Sequence, residues 1–338
     1  ANDTQRGAVG LAAPRLSQML SQHWVSLSII AISCAFLSLA LRRLDAAWLA
    51  GAAWVAILLF WGCLFIFTIS QLPVFHGYDG PDHLAYVRYI VERGALPLAT
   101  DGPAMYHPPL FYMLSAGVWN LAGGPSTALH VLPFLSGLVQ VAIAFGLAKL
   151  LFPAQRALAA TAVLVAGLLP VNVVLASHFS NEPFHAALSA CVILLTARLL
   201  ISDTVSIRQC LVLGVVLGLT LLTKVTGLLL LPLVLGFLAA KVFLTETTNL
   251  RNTTARSIAL VIPLCLLAGG YYLRNWLQFG QAAIGNWDVP GNPIAWWMHP
   301  GFHTSNYFTQ FGESLQRPFF AGYTSFADGI YATFWGDS

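Results

Sequence analysis

Residues 74–83 read VFHGYDGPDH, and this acidic stretch between long apolar segments decides the fold. Gly80 followed by Pro81 predicts the start of a helix, because proline is tolerated in a first turn. Asp79 would then lie just before the helix. Asp82 would lie in its first turn, where the helix dipole favours a carboxylate.

The helix that starts at Gly80 is expected to be short and amphipathic. Gly94 and Pro97 predict its end, since glycine commonly follows a last turn and proline cannot continue it. Apolar residues such as Leu84 and Val87 recur between them at helical spacing. Such a helix lies on a membrane surface and holds its N-terminal acids at the water boundary.

The composition excludes a soluble globular domain. Of the 338 residues, 57% are hydrophobic and 9% are charged, whereas soluble chains are about a quarter charged. The net charge of +3 is small and not clustered, so we expect no nucleic-acid partner. The five cysteines lie in apolar segments without CxxC or zinc spacing, and we interpret them as buried hydrophobic residues.

Runs of about 20 apolar residues recur, and each is long enough to cross a bilayer as a helix. We therefore predict an all-α polytopic membrane protein. The expected spans are 25–41, 47–69, 129–151, 158–176, 183–200, 210–222, 226–243 and 258–273. Residues 110–121 are apolar but too few for a crossing, which favours a re-entrant or interfacial helix.

This pattern divides the chain into four segments. Residues 1–24 form a polar N-terminal tail, and residues 25–46 form an N-terminal helix with a basic loop. Residues 47–274 form the transmembrane module, which includes an outer loop at 71–127. Residues 275–338 are rich in aromatic residues, glycine and proline, and we expect an extracytoplasmic loop that is truncated.

The distribution of basic residues among the loops predicts how the chain is oriented in the membrane. If the outer loop lies outside and residues 110–121 do not span, the inner loops hold most of the basic residues, as the positive-inside rule requires. These residues are Arg42, Arg43, Lys149, Arg156, Arg198, Arg208, Lys241, Arg251 and Arg256. The outer connections between the later spans carry only Lys224 and Arg274.

The order of the polar motifs resembles that of the GT-C membrane glycosyltransferases. The closest pattern is that of the protein O-mannosyltransferase and aminoarabinose-transferase group. An acidic motif follows an early span, then comes an amphipathic helix, then HPPLFY at residues 107–112. Residues 180–182 (SNE), 222–224 (LTK) and 272–275 (YLRN) look like further landmarks.

This resemblance implies a GT-C-like helical bundle that transfers a sugar from a polyprenyl-phosphate donor to an acceptor hydroxyl or amine, with inversion. The implied partners are the lipid-linked sugar, membrane lipid, and an acceptor glycan, lipid or protein. The implied location is a bacterial cytoplasmic membrane, with the active site on its outer face and a role in the cell envelope.

Within this resemblance, Asp79 is the expected general base and Asp82 is the second choice or an orienting residue. Lys224 and Arg274 are the candidate partners of the donor phosphate. The remaining substrate-site candidates are His83, His107, Asn181 and Glu182. The family commonly has adjacent Asp-Glu, whereas Gly80 follows Asp79 here, so the division of labour between the two acids stays open.

Other interpretations remain at this stage. Asp79 could serve only as a helix cap. Asp79, Asp82, His83 and His107 could bind a divalent cation, although no sequential metal signature is present and no cofactor is required. A transporter or flippase of lipid-linked substrates, and a non-catalytic GT-C-like assembly subunit, are the alternative functions.

Overall fold

A computed structural model of the chain describes residues 47–77, 79–245, 250–288, 303–316 and 325–335. The predicted span 25–41 and its basic flank lie outside these residues. Two compact units are present, and the larger comprises residues 47–299. The described part of the smaller unit begins at His303.

The described residues form helices joined by turns, without any strand. Helices α1 to α13 are Ala47–Gln71, Gly80–Arg93, Leu110–Ala122, Val131–Leu151, Arg156–Leu168, Pro170–Ser177, Glu182–Ile201, Ile207–Leu221, Leu230–Thr245, Leu250–Phe279, Ser305–Thr309, Glu313–Gln316 and Phe326–Phe334. Short 3-10 turns cover Thr127–His130, Val225–Leu229 and Asn286–Asp288. The prediction of an all-α protein is confirmed.

Four segments of the described chain are long and apolar enough to cross a membrane. They are Trp48–Gln71, Thr127–Leu151, Glu182–Ile201 and Thr253–Phe279. Helices α5 and α6 supply a fifth if they act together as one bent span. The prediction of a polytopic membrane protein is therefore confirmed, and α3, with 13 residues, is short as expected.

The predicted span over residues 158–176 is divided into two helices. Helix α5 ends at Leu168 and α6 begins at Pro170, with a bend of 48° between them. Pro170 has no N–H to continue the hydrogen-bond ladder of α5. Leu169, with φ −59° and ψ 121°, leaves the helical region between the two.

Helices α8 and α9 do not coincide with the predicted spans 210–222 and 226–243, because a 3-10 turn over Val225–Leu229 takes the place of the start of the second span. Helix α8 has 15 residues, which is about 22 Å of helix and less than a hydrocarbon core of about 30 Å. Hydrogen bonds to neighbouring segments nevertheless fix the positions of α8 and α9. The N–H of Leu110 donates to Leu222 O at 2.9 Å, whereas Lys241 Nζ donates to Leu200 O at 3.0 Å.

Helices α1, α4 and α5 form one apolar core around a tryptophan. The side chain of Trp61 is fully buried, and its Nε1 donates to Gly167 O at 2.7 Å. A methyl group on Gly137 of α4 would lie 2.3 Å from the Trp61 ring, so glycine is needed for this close approach. This core anchors α1, whose C-terminal end leads directly into the acidic stretch.

Helices α2 and α3 pack on each other over a second core. Its buried members include Tyr86, Val87, Phe111, Tyr112 and Leu129. The α2 helix spans the predicted residues, with Pro81 in its first turn and Gly94 as a left-handed C-cap at φ 60°. The apolar residues that the sequence predicts on one side of α2 thus pack against α3.

The described part of the smaller unit is organised by one buried carboxylate. Asp328 accepts hydrogen bonds from the backbone N–H groups of Gly312 and Ser314, both at 3.0 Å, and from the Ser325 hydroxyl at 2.6 Å. Burial raises the pKa of Asp328, but the hydrogen bonds from Ser314, Ser325 and Gly312 outweigh it and the net pKa is lowered. Asp328 is therefore a structural acid.

Candidate active site

Asp79 occupies the N-cap position of α2 without acting as a side-chain cap. Its carboxylate makes no capping hydrogen bond, and only its backbone C=O is used, accepting the N–H of His83 at 3.0 Å. The side chain is exposed. The interpretation of Asp79 as a helix cap alone therefore finds no support in the geometry.

The position of Gly80 explains why Asp79 is not followed directly by a second acid. A Cβ at this position would lie 2.6 Å from Phe75 O, which is a backbone atom and has little room to yield. A second acid is therefore excluded from position 80 while the loop keeps this path. The next carboxylate follows at Asp82, in the first turn of the helix.

A cleft of about 320 Å³ opens beside these two acids. Its lining includes Asp79, Asp82, His83, Tyr106 and His107. The first turn of α2 supplies one wall, and the loop that precedes α3 supplies the other, with Asn286 completing the rim. Four of the predicted site residues thus meet in one cleft.

Buried aromatic rings support the residues that line the cleft. His83 Nδ1 and the Tyr112 hydroxyl share a hydrogen bond of 2.8 Å. The Tyr112 ring stacks on Tyr86 with centroids 3.8 Å apart, and the Tyr86 hydroxyl donates to His107 O at 3.2 Å. These contacts join α2, α3 and the intervening loop, so the lining is held by packing and does not depend on a flexible loop.

The protonation states of the lining follow from burial. Burial lowers the pKa of His83 to about 4, although the charges of Asp79 and Glu182 act in the opposite direction. Burial raises the pKa of Tyr106 to about 12, and the carboxylates of Asp79 and Glu182 add to this. Near neutral pH, the cleft therefore contains a neutral imidazole and a phenol that can donate a hydrogen bond.

The two acids of the cleft differ in environment. Burial raises the pKa of Asp82, and the negative charge of Asp79 raises it further. Asp79 is the more exposed of the two. A carboxylate with a raised pKa binds its proton more readily, so Asp82 is easier to protonate than an ordinary aspartate.

Glu182 and Lys224 form an ion pair at the start of α7. Lys224 Nζ donates to Glu182 Oε1, and the two side chains are 20% and 40% exposed, respectively. Both charges act on the pKa of His83, which lines the cleft. The sequence predicted each residue as a site candidate but not that the two pair.

Asn181 and Arg274 hold backbone segments in place. Asn181 is buried, and its Nδ2 donates to Thr223 O at 3.4 Å. Arg274 Nη2 donates to Pro97 O at 2.8 Å, and its guanidinium lies 5.6 Å from the Tyr271 ring centroid. Arg274 therefore ties α10 to the loop between α2 and α3. Its predicted contact with a donor phosphate stays a prediction.

The structure gives no support for a metal-binding cluster in the part of the chain that is described. No group of three or more His, Cys, Asp or Glu side chains there is arranged to hold a metal ion. His83 is turned toward Tyr112, and His107 Nδ1 is buried without a hydrogen-bond partner. The four cation candidates share the cleft without converging on one point.

The family model described as dolichyl-phosphate-mannose-protein mannosyltransferase matches residues 106–268. The resemblance to the GT-C glycosyltransferases is confirmed. The match supports a glycosyltransferase of GT-C type in a multi-pass membrane protein. Neither a curated protein nor a solved structure gives a significant match. The matched segment includes His107, Glu182 and Lys224 but begins after Asp79 and Asp82.

Sequence reasoning missed two residues at or near this candidate site, Tyr106 and His185. Tyr106 lines the cleft, and its backbone O accepts the Tyr271 hydroxyl at 2.8 Å. His185, one turn after Glu182, contacts the Thr226 hydroxyl at 3.2 Å through Nε2. Tyr106 could have been found from its position directly before His107. The contact of His185 depends on the packing of α7 against the 3-10 turn and has no signal in the sequence.

Proposed function

We propose that this protein transfers a sugar from a polyprenyl-phosphate donor to an acceptor hydroxyl or amine on the extracytoplasmic face of the membrane, with inversion. The observation that carries the proposal is the uncapped, exposed carboxylate of Asp79 at the edge of a cleft that also contains Asp82. The GT-C-type match supports the reaction class.

The chemistry requires one base and one cationic environment. Asp79 accepts the proton of the acceptor as its oxygen or nitrogen attacks the anomeric carbon. The bond between that carbon and the phosphate oxygen breaks, and the lipid phosphate leaves with the electron pair. A single displacement of this kind inverts the anomeric configuration. Cations near the leaving phosphate stabilise the negative charge that develops on it.

Lys224 and Arg274 are the proposed phosphate partners. Both are at the cleft end of their segments, since Lys224 follows α8 and Arg274 contacts the loop between α2 and α3. In this structure, Lys224 is paired with Glu182. We therefore propose that the donor phosphate takes the place of Glu182 on Lys224, while Arg274 acts from its position beside Tyr271.

Replacing Lys224 or Arg274 by Gln is expected to weaken donor use about 10- to 100-fold, because a hydrogen bond to a charged group contributes roughly 1.5–3 kcal/mol. The KM for a polyprenyl-phosphate sugar is measured in proteoliposomes. Lys149→Gln, at the opposite end of α4, and Arg88→Gln, on the exposed face of α2, are the matched controls. Normal donor KM and turnover in both Lys224→Gln and Arg274→Gln would remove the phosphate assignment.

The proposed orientation places the cleft outside. Lys149, Arg198 and Lys241 lie at the ends of their helices that point away from the cleft, which is the end that the positive-inside rule assigns to the cytoplasm. Thr100 and Thr204 are exposed at the two opposite ends.

In intact cells, an impermeant thiol reagent is expected to label a Thr100→Cys variant and not a Thr204→Cys variant. Both are made in a background whose five native cysteines are replaced by alanine. Labelling of both variants after permeabilisation is the control for reactivity. Labelling of Thr204→Cys alone in intact cells would reverse the orientation.

A further inference from the structure

Tyr112 and His83 form a buried pair beside the cleft, and the reaction proposed above gives neither of them a role. The Tyr112 side chain is fully buried, and its hydroxyl lies 2.8 Å from Nδ1 of His83. Among the described residues, this hydroxyl has no other hydrogen-bond partner. A buried O–H group without an acceptor is costly, so the Tyr112 hydroxyl donates and His83 Nδ1 accepts.

The direction of this hydrogen bond fixes the tautomer of His83. Burial raises the pKa of Tyr112 well above its usual value, so the phenol keeps its proton. Burial also lowers the pKa of His83 to about 4, so the imidazole is neutral near neutral pH and has one N–H. Because Nδ1 accepts the Tyr112 hydroxyl, the network assigns this proton to Nε2. His83 is therefore a hydrogen-bond donor through Nε2.

The Nε2 atom is the nitrogen of His83 that is available to a substrate. His83 lines the cleft together with Asp79 and Tyr106. Within the ranges that the structure describes, Nε2 has no hydrogen-bond partner. The Tyr112 ring stacks on Tyr86 with centroids 3.8 Å apart. The hydroxyl that holds Nδ1 is thus itself held by packing, and the imidazole has a fixed orientation.

His83 also connects the two chemical ends of the proposed site. On one side, its backbone N–H donates to Asp79 O at 3.0 Å, one turn earlier in the chain. On the other side, the helix α3 that supplies the phenol begins at Leu110, whose N–H donates to Leu222 O at 2.9 Å, two residues before Lys224. A single displacement with inversion needs the sugar between the base and the leaving phosphate. The sugar is therefore expected to lie beside this imidazole.

We propose that His83 donates a hydrogen bond from Nε2 to a hydroxyl oxygen of the transferred sugar, and that Tyr112 is the positioning residue that makes Nε2 the donor. This inference rests on the proposed function, since the path of the reaction from Asp79 to Lys224 is taken from it. A site built to donate to a substrate hydroxyl rejects an analogue that lacks it, because the donor is left unpaired. His83 thus helps to select the sugar.

The tautomer is tested without any reaction. In the purified full chain with ¹⁵N-labelled histidine, protonated and unprotonated ring nitrogens have separate chemical shifts, and the His83 signals are assigned from their loss in His83→Gln. We expect a protonated Nε2 and an unprotonated Nδ1 near neutral pH. In Tyr112→Phe, which removes the hydroxyl and keeps the ring, the Nδ1 signal is expected to shift. A protonated Nδ1 in the wild type would overturn the proposal.

The contact with the sugar is tested with two substitutions of His83. The amide of Asn takes the place of Nδ1 and keeps a partner for Tyr112, whereas the amide of Gln reaches the position of Nε2 and keeps the donor. The probes are a polyprenyl-phosphate sugar that the wild type transfers and its monodeoxy analogues. The wild type and His83→Gln are expected to discriminate against one analogue by about tenfold in kcat/KM, and His83→Asn by about twofold or less.

His76→Asn is the matched control, because His76 is exposed and does not line the cleft. It is expected to keep the wild-type discrimination. If His83 only supports Tyr112, the order is reversed, so that His83→Asn keeps the discrimination and His83→Gln loses it. That order, or unchanged discrimination in both variants, would overturn the proposal. Absence of transfer by the wild type would contradict the proposed function and the sugar contact, while the tautomer measurement would still decide the role of Tyr112.

Discussion

Replacing Asp79 by Asn is expected to lower sugar transfer about 10²- to 10⁴-fold, which is the usual contribution of a general base. The amide keeps the size of the carboxylate but cannot accept the acceptor's proton. Since Asp79 makes no side-chain capping bond, the substitution leaves the start of α2 intact. The unfolding midpoint should therefore stay close to that of the wild type while turnover falls.

Two further variants complete this test. Asp82→Asn should lose less turnover, and Asp203→Asn, at an exposed position beyond the other end of α7, should lose none. If Asp82→Asn is inactive while Asp79→Asn retains transfer, the base is Asp82. In that case, the base lies within the first turn of the helix, because the backbone around Gly80 leaves no room for an acidic side chain at that position. If both variants retain transfer, the mechanism is wrong.

Replacing Gly214 by Ala is expected to destabilise the protein by about 1–3 kcal/mol, as overpacking does. Gly214 and Gly218 form a GxxxG pattern on α8 that faces α10. A Cβ on Gly214 would lie 2.2 Å from Leu260 O. Because this oxygen belongs to the backbone of a helix, the two helices have to separate.

Gly236→Ala is the matched control for this substitution. Gly236 lies in α9, and a Cβ there meets nothing within 4 Å. This variant should be neutral or up to about 1 kcal/mol more stable, because alanine favours a helix over glycine. Thermal unfolding in detergent measures both. Equal midpoints for Gly214→Ala and Gly236→Ala would show that α8 and α10 do not pack as described.

The sequence predicted much of the fold because apolar length and helix ends are local signals. The bounds of α2 followed from Pro81 and Gly94, and the four long spans followed from hydropathy. The bend at Pro170 was missed since the apolar run continues through it. The 3-10 turn Val225–Leu229 was missed for a similar reason, because the apolar run that begins after Lys224 continues through it.

The site was predicted less completely than the fold. Asp79, Asp82, His83 and His107 are close in sequence or flank one loop, and the structure brings them into one cleft. The pairing of Glu182 with Lys224 joins residues 42 positions apart. The contacts of Arg274 reach across more than 170 positions. Such contacts depend on how the helices pack, and no spacing in the sequence encodes them.

The most direct measurement of the central claim uses purified protein in proteoliposomes with radiolabelled sugars. Each sugar is supplied either as a polyprenyl-phosphate conjugate or as its nucleotide conjugate, together with hydroxyl and amine acceptors. The account predicts transfer from at least one polyprenyl-phosphate sugar, with inverted anomeric configuration in the product, and loss of that transfer in Asp79→Asn. Transfer from the nucleotide conjugates alone, or a product with retained configuration, would contradict it.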